Sequence, residues 1–517
     1  MTKVMTVSDA VEAYIKDGST ITFGGFIGSA HPEEVSLTIE QKFLDTGHPN
    51  NLTLLYCAGM GDAKEKGLNH LGHEDLVSKV IGGHWGLVPK LQKLALENKV
   101  AAYNLPQGVI SQLYRDIAAG KPGVITHVGL KTYVDPRLEG GKINEKAAEA
   151  GDIVELIQIH GQEKLLYNAF PIDVAVIRAT YADEHGNCTM EHEGVTLDAL
   201  PIAQATKNSG GKVIVQVEGI VQHGSLDTRM VKIPGILVDA IVVSKPENHM
   251  QTFETQYNPA YSGEIRVPVD TLTPLPMDVR KVITRRAAME LVPNAIVNLG
   301  LGMPECISAV AAEENISDMM VLTAESGVIG GVPAAGLSFG VTANAECVID
   351  QGYQFDFYDG GGLDVAFLGL AEMDGQGNVN VSKFGTRLPG CGGFINITQN
   401  AKKVVFCGTF TAGGLKEEFR DGKLEIQQEG RGRKLVNQVE QITFSGEYAK
   451  EMGQKVYYIT ERAVFELTEQ GVTLIEIAPG VDLQKDILDQ MGFAPIIGDV
   501  KPMDARLFNE EKMGLQM

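Results

Sequence analysis

The 517-residue chain is predicted to be an α/β protein of two similar open domains with mainly parallel sheets, related by internal duplication. Three observations predict it. Helical stretches alternate with short apolar runs of strand length, the pattern of a sheet covered by crossover helices. Residues 172–190, "IDVAVIRATYADEHGNCTM", lie without a gap over 363–381, "LDVAFLGLAEMDGQGNVNV", with six identities: Asp173/Asp364, Val174/Val365, Ala175/Ala366, Asp183/Asp374, Gly186/Gly377 and Asn187/Asn378. A helix–strand–glycine turn–helix order opens both halves of the chain.

Taken in order, "SDAVEAYIKDG" reads as a helix opened by Ser8 and closed by Gly18, followed by the strand "STITF" and a glycine turn. Pro32 then stands at the first position of a helix with two acids behind it, where proline and negative charge both suit a helix N-terminus. "NLTLLYCAGMG" supplies the next strand and its loop. In the second half, "MDVRKVITRRAAMELVPNAIVNLGLGMPECI" repeats the order, with Gly300 and Gly302 in the turn and Pro304-Glu305 opening the helix. Met319 to Thr323 reads as a buried strand running into the glycine-rich "ESGVIGG". The two aligned segments each read as an apolar strand, a D-x-x-G-N turn and a second short strand. A polar, proline-bearing stretch of low periodicity separates the halves. The expected division is therefore 1–245, a linker over 246–276, and 277–517.

Composition narrows the function. Apolar residues make up 44% and charged residues 21%, a globular mixture. No apolar run approaches the ~18 residues of a membrane span, and the N-terminus lacks the apolar core of a secretory signal, so a cytoplasmic location is expected. The six cysteines show no C-x-x-C pair and no cysteine–histidine cluster at zinc spacing, so no metal site is expected and a reducing compartment suits them. A net charge of -22 argues against nucleic acid or a membrane surface as partner, because both are polyanions. A small phosphorylated ligand is still compatible, since it needs only a local cluster of donors.

The chemistry-bearing motifs are few. Glu325 stands alone between strand and glycine loop, and the first half has no acid at the matching "YCAGMG". That asymmetry assigns the chemistry to the second half, at the mouth between domains. "GLGMPE", Gly300 to Glu305, lacks the third small residue of a dinucleotide-binding turn, but its backbone N–H groups suit an anion or an oxyanion. "GCGGFINI" places Gly390, Gly392 and Gly393 within four residues, freeing backbone to face a ligand. Gln107 lies at the Pro-Gln-Gly turn of "YNLPQGVI", placed to donate from its amide. His84-Trp85 in "GGHWG" reads as a ligand loop or, more simply, as filling for a loop cavity. The basic run Arg431, Arg433, Lys434 reads as a phosphate contact or, more simply, as a solvated turn. No G-x-S-x-G elbow supports a serine hydrolase.

Seven ordered motifs, "GGFIGSAHPEE", "YNLPQG", "NLGLGMPE", "TAESGVIGG", "DGGGLDVAFLG", "GCGGFINITQNAKKVVFCGTFTAGG" and "YITERAVFEL", together resemble family I coenzyme A transferases, especially the long single-chain acetate and propionate type. The resemblance covers both halves. It implies that Glu325 is the nucleophile that becomes a glutamyl-CoA thioester and that Gln107 orients the reacting carbonyl. It also implies that a backbone amide of Gly390, Gly392 or Gly393, foremost Gly392, lines an oxyanion hole. It implies coenzyme A as a substrate rather than a tightly bound cofactor, short-chain carboxylates such as acetate, propionate or butyrate as partners, and a homo-oligomer, a tetramer. An acyl-CoA hydrolase using the same glutamate is the enzymatic alternative. A ligand-sensing module is the alternative of another class.

Overall fold

A computed structural model describes residues 3–268 and 274–515. Positions 269–273 of the expected linker therefore lie outside the described residues. The chain forms two compact units: Met1–Val267 with Ala324–Asp356 and Gly385–Asn396, and Pro268–Thr323 with Phe357–Phe384 and Ile397–Met517. The segment bearing Glu325 thus belongs to the first unit, although the sequence repeat assigns it to the second half. Repeat and compact unit divide the chain differently.

The first unit is built on an eight-stranded sheet in the order Val4–Met5, Ala240–Val243, Lys212–Val217, Val174–Arg178, Thr20–Phe23, Leu52–Tyr56, Val77–Gly82, Ala101–Asn104. Every neighbouring pair in it is parallel. Its central strands bury side chains on both faces, which explains why they read as continuous apolar runs rather than alternating ones. The first helix spans Val7–Tyr14 and is capped by Thr6, whose hydroxyl accepts from the Asp9 N–H. Ser8 therefore lies inside the helix rather than capping it. The next helix, Glu33–Thr46, begins directly after Pro32 and ends at Gly47 with φ 72°.

The second unit carries five parallel strands in the order Met320–Thr323, Ala295–Leu299, Val365–Gly369, Lys403–Cys407, Lys455–Ile459. Ala463–Thr468 and Gly471–Ile477 extend it antiparallel, and Ile496–Pro502 pairs parallel to the latter. Met320–Thr323 is a strand as expected, but three of its four residues are only half-buried.

The duplication is visible in topology. Numbering the repeated strands of each half in sequence order, both sheets run 2-1-3-4-5: Leu52–Tyr56, Thr20–Phe23, Val174–Arg178, Lys212–Val217, Ala240–Val243 in one, and the five parallel strands above in the other. Local chemistry repeats too. Asp183 accepts hydrogen bonds from the N–H groups of His185 and Asn187 and from the Asn187 amide, closing the turn between Tyr181–Asp183 and Cys188–Thr189. Asp374 does the same with Gln376 and Asn378 between Glu372–Met373 and Val379–Asn380. Among the described residues no helix is long and apolar enough to cross a membrane.

Candidate active site

In parallel α/β sheets ligands gather at the carboxyl ends of the strands, and three strand ends of the first unit meet there. Leu52–Tyr56 leads into Cys57, Val77–Gly82 into Gly83 and His84, and Ala101–Asn104 into the P-Q-G turn. Asn104 ties these ends together. Its Nδ2 donates to the carbonyls of Gly82 and Gly83, both at 2.7 Å, while its Oδ1 accepts the Cys391 N–H at 2.9 Å and the Tyr133 hydroxyl. The "GCGG" turn is thereby held against the P-Q-G turn.

Gln107 opens the helix Gln107–Ala118 and is 2% exposed. Its N–H donates to the Gly392 carbonyl at 2.9 Å, and its backbone carbonyl accepts the Cys57 thiol at 3.0 Å. The next residue is glycine, and a side chain there would force its neighbours to shift. A Cβ at Gly108 would stand 2.5 Å from both Asn396 and Phe355, and the Gly108 N–H donates to the Asn396 side chain.

Glu325 sits half-buried in the turn between Met320–Thr323 and Val328–Ile329. The latter strand pairs antiparallel with Cys347–Val348, and the pairing extends one step further, with the Ile349 N–H donating to the Gly327 carbonyl. Gly327 has φ 104°, and a Cβ there would fall 1.9 Å from the Ile349 oxygen, so only glycine fits. Ser326 is buried and donates to the Gly340 carbonyl at 2.6 Å. The pairing brings the Glu325 turn beside Gln351, whose side-chain oxygen accepts the Gln107 amide at 3.1 Å. The Glu325 turn and the P-Q-G turn are therefore linked through one side chain.

Of the three glycines in "GCGG", Gly392 has φ 51° and already donates its N–H to the Gly83 carbonyl at 2.8 Å. A Cβ there would lie 3.7 Å from Gln107 Oε1 and from the His84 ring. Gly390, with φ 76°, packs against Asn104 and Trp85, and Gly393 is buried beside them in sequence. Gly300 and Gly302 belong to the second unit. Their amides are already engaged, Gly300 to the Phe367 carbonyl at 2.8 Å and Gly302 to the Glu305 carboxylate at 2.6 Å. The motif's own glutamate thus occupies the place an anion would take.

Trp85 is fully buried, belongs to the core of the first unit and packs edge-on against Tyr56, which settles it as filling. His84 beside it is different: its Nδ1 is buried without a hydrogen-bond partner, and burial lowers its pKa to about 4, so the ring is neutral at pH 7. Arg431 and Arg433 are exposed and reach the carbonyls of Gly413 and Asp489. Lys434 is drawn inward, and burial lowers its pKa to about 8.

Sequence reasoning missed Asn104, Gln351, Cys57 and Asp198, whose carboxylate accepts the Gln351 amide at 2.7 Å, as site-building residues. Each is a lone polar residue or thiol outside any spacing rule, and only the fold brings them to one place. No group of three or more histidine, cysteine, aspartate or glutamate side chains able to hold a metal occurs among the described residues.

Comparison with known proteins gives a consistent picture. The family model for coenzyme A transferase matches residues 4–244. A caffeate CoA-transferase of Acetobacterium woodii is 50% identical over 522 residues, covering 100% of this chain and 99% of that one. The acetate CoA-transferase YdiF of Escherichia coli K12 is 45% identical over 513 residues, covering 99% and 96%. Crystal structures of the acyl-CoA transferase YdiF from Escherichia coli O157:H7 superpose at 44% identity over 100% of this chain and 98% of theirs, with TM-scores of 0.95 for the apoenzyme and 0.93 for a thioester complex with CoA. The chain belongs to the coenzyme A transferase family.

Proposed function

We propose that this CoA-transferase moves coenzyme A from a short-chain acyl-CoA to a free short-chain carboxylate, with Glu325 as the nucleophile and Gln107 as the amide that orients the reacting carbonyl. The observation that carries it is the Gln107–Gln351 hydrogen bond at 3.1 Å, which couples the P-Q-G turn to the hairpin bearing Glu325.

The Glu325 carboxylate attacks the thioester carbonyl, the C–S bond breaks, and CoA leaves as thiolate from an acyl-glutamyl anhydride. The thiolate then attacks the γ-carbonyl of Glu325, releasing the first acid as carboxylate and leaving a glutamyl-CoA thioester. A second carboxylate runs the sequence backwards. Thioester is exchanged for thioester, so the net energy change is small and no external reductant or base is consumed. Each tetrahedral intermediate carries an oxyanion, and removing one donor aimed at it costs typically ~3–4 kcal/mol. The second N–H of the Gln107 amide is one such donor. The "GCGG" turn is the proposed source of another. For Gly392 to serve, its amide has to release the Gly83 carbonyl it holds at 2.8 Å, whereas Gly390 and Gly393 need no such exchange.

The thioester complex of the 44%-identical YdiF supports a covalent CoA intermediate here. The relatives' names span acetate and caffeate, so the test panel spans aliphatic and aromatic acids. Incubation with acetyl-CoA and no acceptor is expected to leave a CoA thioester on Glu325, which borohydride cleaves with release of CoA thiol, leaving the side-chain carboxyl reduced to an alcohol that peptide mass spectrometry locates. Label elsewhere removes Glu325 as nucleophile. Initial rates with acetate, propionate, butyrate and a cinnamate-type acid then rank the acceptors, and a top rate for the aromatic acid overturns the short-chain assignment. Steady CoA release with no acid present would mark a hydrolase instead. A cytoplasmic location and a homo-oligomer, a tetramer by family resemblance, complete the proposal, and sedimentation of the purified protein tests the assembly.

A further inference from the structure

We propose that Gln351 and Asp198 are positioning residues of the transfer reaction, which fix end-for-end the orientation of the Gln107 amide. The proposal rests on Gln107 serving that reaction as proposed above.

A carboxamide has one accepting end and one donating end of nearly the same shape, so packing alone does not choose between them; the hydrogen-bond network does. Here the network begins at a group with no ambiguity. Asp198, 3% exposed at the start of the helix Ala199–Asn208, accepts Ser111 Oγ on one carboxylate oxygen at 2.5 Å and Gln351 Nε2 on the other at 2.7 Å. An ionised carboxylate only accepts, so Gln351 must turn its NH2 toward it. The second hydrogen of that NH2 is taken by Cys57 Sγ at 3.0 Å. Gln351 Oε1 is therefore left facing Gln107, and Gln107 must answer with its own NH2 at 3.1 Å. One hydrogen of that NH2 is bound. The other is left as a directed donor, and Oε1 is held on the side of Gly392.

Each link is buried: Gln351 is 1% exposed, Gln107 2% and Asp198 3%. Water cannot substitute for a lost partner, so an inverted amide would set oxygen against oxygen at one of the two junctions. The arrangement also anchors Gln351 to the nucleophile hairpin, since Gln351 lies three residues beyond Cys347–Val348 and its N–H donates to the Leu197 carbonyl. A single side chain thus registers the amide and the Glu325 turn together.

The device has a pH dependence of defined sign. Burial raises the Asp198 pKa to about 6, with the Asp350 carboxylate pushing the same way. The other titratable groups facing it, the Cys57 thiol and the Tyr114 hydroxyl, are raised well above their usual values by burial and remain neutral. Above that pKa the carboxylate enforces one orientation. Below it, the added proton can be donated to Gln351 Oε1, both amides can invert, and the Gln107 donor is withdrawn from its place.

The test is a cycle on the full-length enzyme, read as the single-turnover rate of glutamyl-CoA formation, with steady-state kcat and KM alongside. Gln351→Met is expected to lower that rate at least tenfold while changing KM for acyl-CoA less than threefold. In a Gln107→Ala background the same change is expected to cost less than twofold, because there is no amide left to orient. Asp198→Asn, the gentler variant, is expected to fold as the parent does and to flatten the fall in rate below pH 6. Three results overturn the proposal: an unchanged rate in Gln351→Met, an equal loss from Gln351→Met with and without Gln107, and an acid limb that persists in Asp198→Asn. Full activity of Gln107→Ala is a separate outcome, which removes the role of Gln107 itself and with it the need to position its amide.

Discussion

Leu52–Tyr56 and Met320–Thr323 occupy the same place in their two sheets, next to the first repeated strand, and the chain leaves both at the carboxyl end. The loops beyond them differ. After Tyr56 come Cys57, Ala58 and Gly59, and Cys57 is buried, donating to the Gln107 carbonyl and accepting from Gln351. After Thr323 come Ala324 and Glu325, with the carboxylate half-buried in its turn. One copy of the strand end carries the proposed nucleophile; the other became part of the support beneath Gln107. Duplication supplied two equivalent strand ends at the carboxyl edges of two sheets, and the loops that follow them diverged in chemistry.

Exchanging or deleting the distinguishing side chains breaks that comparison most sharply. Glu325→Ala is expected to reduce transfer by ~10⁴-fold or more, the scale of losing a nucleophile, and Glu325→Asp by ~100-fold, because a displacement near 1 Å in a reacting group costs that much. Cys57→Ala, at the first-half strand end, is expected to keep activity within ~10-fold, since it removes one weak acceptor and one weak donor. Equal losses in kcat from the two strand ends, measured with the same acyl-CoA, would abolish the division of labour.

The glycines behind those strand ends sharpen it further. An alanine Cβ at Gly327 would sit 1.9 Å from the backbone oxygen of Ile349, at φ 104°. A backbone atom in a paired hairpin cannot step aside, so Gly327→Ala is expected to cost ~2–5 kcal/mol and to move Glu325. At Gly59 the nearest atom belongs to a side chain rather than to backbone, His84 Nδ1 at 2.6 Å. Gly59→Ala is expected to cost ~1–2 kcal/mol, an ordinary overpacking penalty. Urea midpoints of the two variants check the difference, and activity of the surviving fraction separates stability from displacement of Glu325.

Period and motif made the scaffold legible. Alternating helices and apolar runs gave the parallel sheets, and six shared residues over 172–190 and 363–381 gave the duplicated strand–turn–strand, because each depends on chemistry local in sequence. Glu325 and Gln107 were legible as candidates for the same reason, each standing in a short motif. Their common surroundings were not. Asp198 meets Ser111 across 87 positions and Gln351 across 153, and Gln107 meets Gln351 across 244. A buried polar network of that reach leaves no periodic trace. The helix cap at Thr6 rather than Ser8 is a smaller case: both residues can cap, and the choice turned on which hydroxyl could reach the Asp9 N–H. The first unit's claim on Ala324–Asp356 was equally invisible, because sequence repeats record descent and compactness records contacts.

The smallest effect comes where the two halves are most alike. Asp183 and Asp374 are each 2% exposed, and each accepts two backbone N–H groups and one asparagine amide within its turn. Removing either carboxylate leaves two turn amides short of an acceptor, so Asp183→Ala and Asp374→Ala are each expected to cost ~2 kcal/mol, agreeing within ~1 kcal/mol at pH 7. Acid separates Asp183 from ordinary surface carboxylates. Burial tends to raise the pKa of Asp183, but hydrogen bonds from Asn187, His223 and His185 outweigh it and hold the group at about 2, below its usual 3.8. A depressed folded pKa means the stabilisation is complete above 3.8 and is lost as pH falls toward 2. The penalty of Asp183→Ala should therefore hold constant from pH 7 to about 4 and shrink below that, read as the gap between parent and variant urea midpoints. A penalty that stayed constant below about pH 4 would instead show that the ionised Asp183 carboxylate is not what holds its turn, and the two turns would then be alike in shape but not in what holds them.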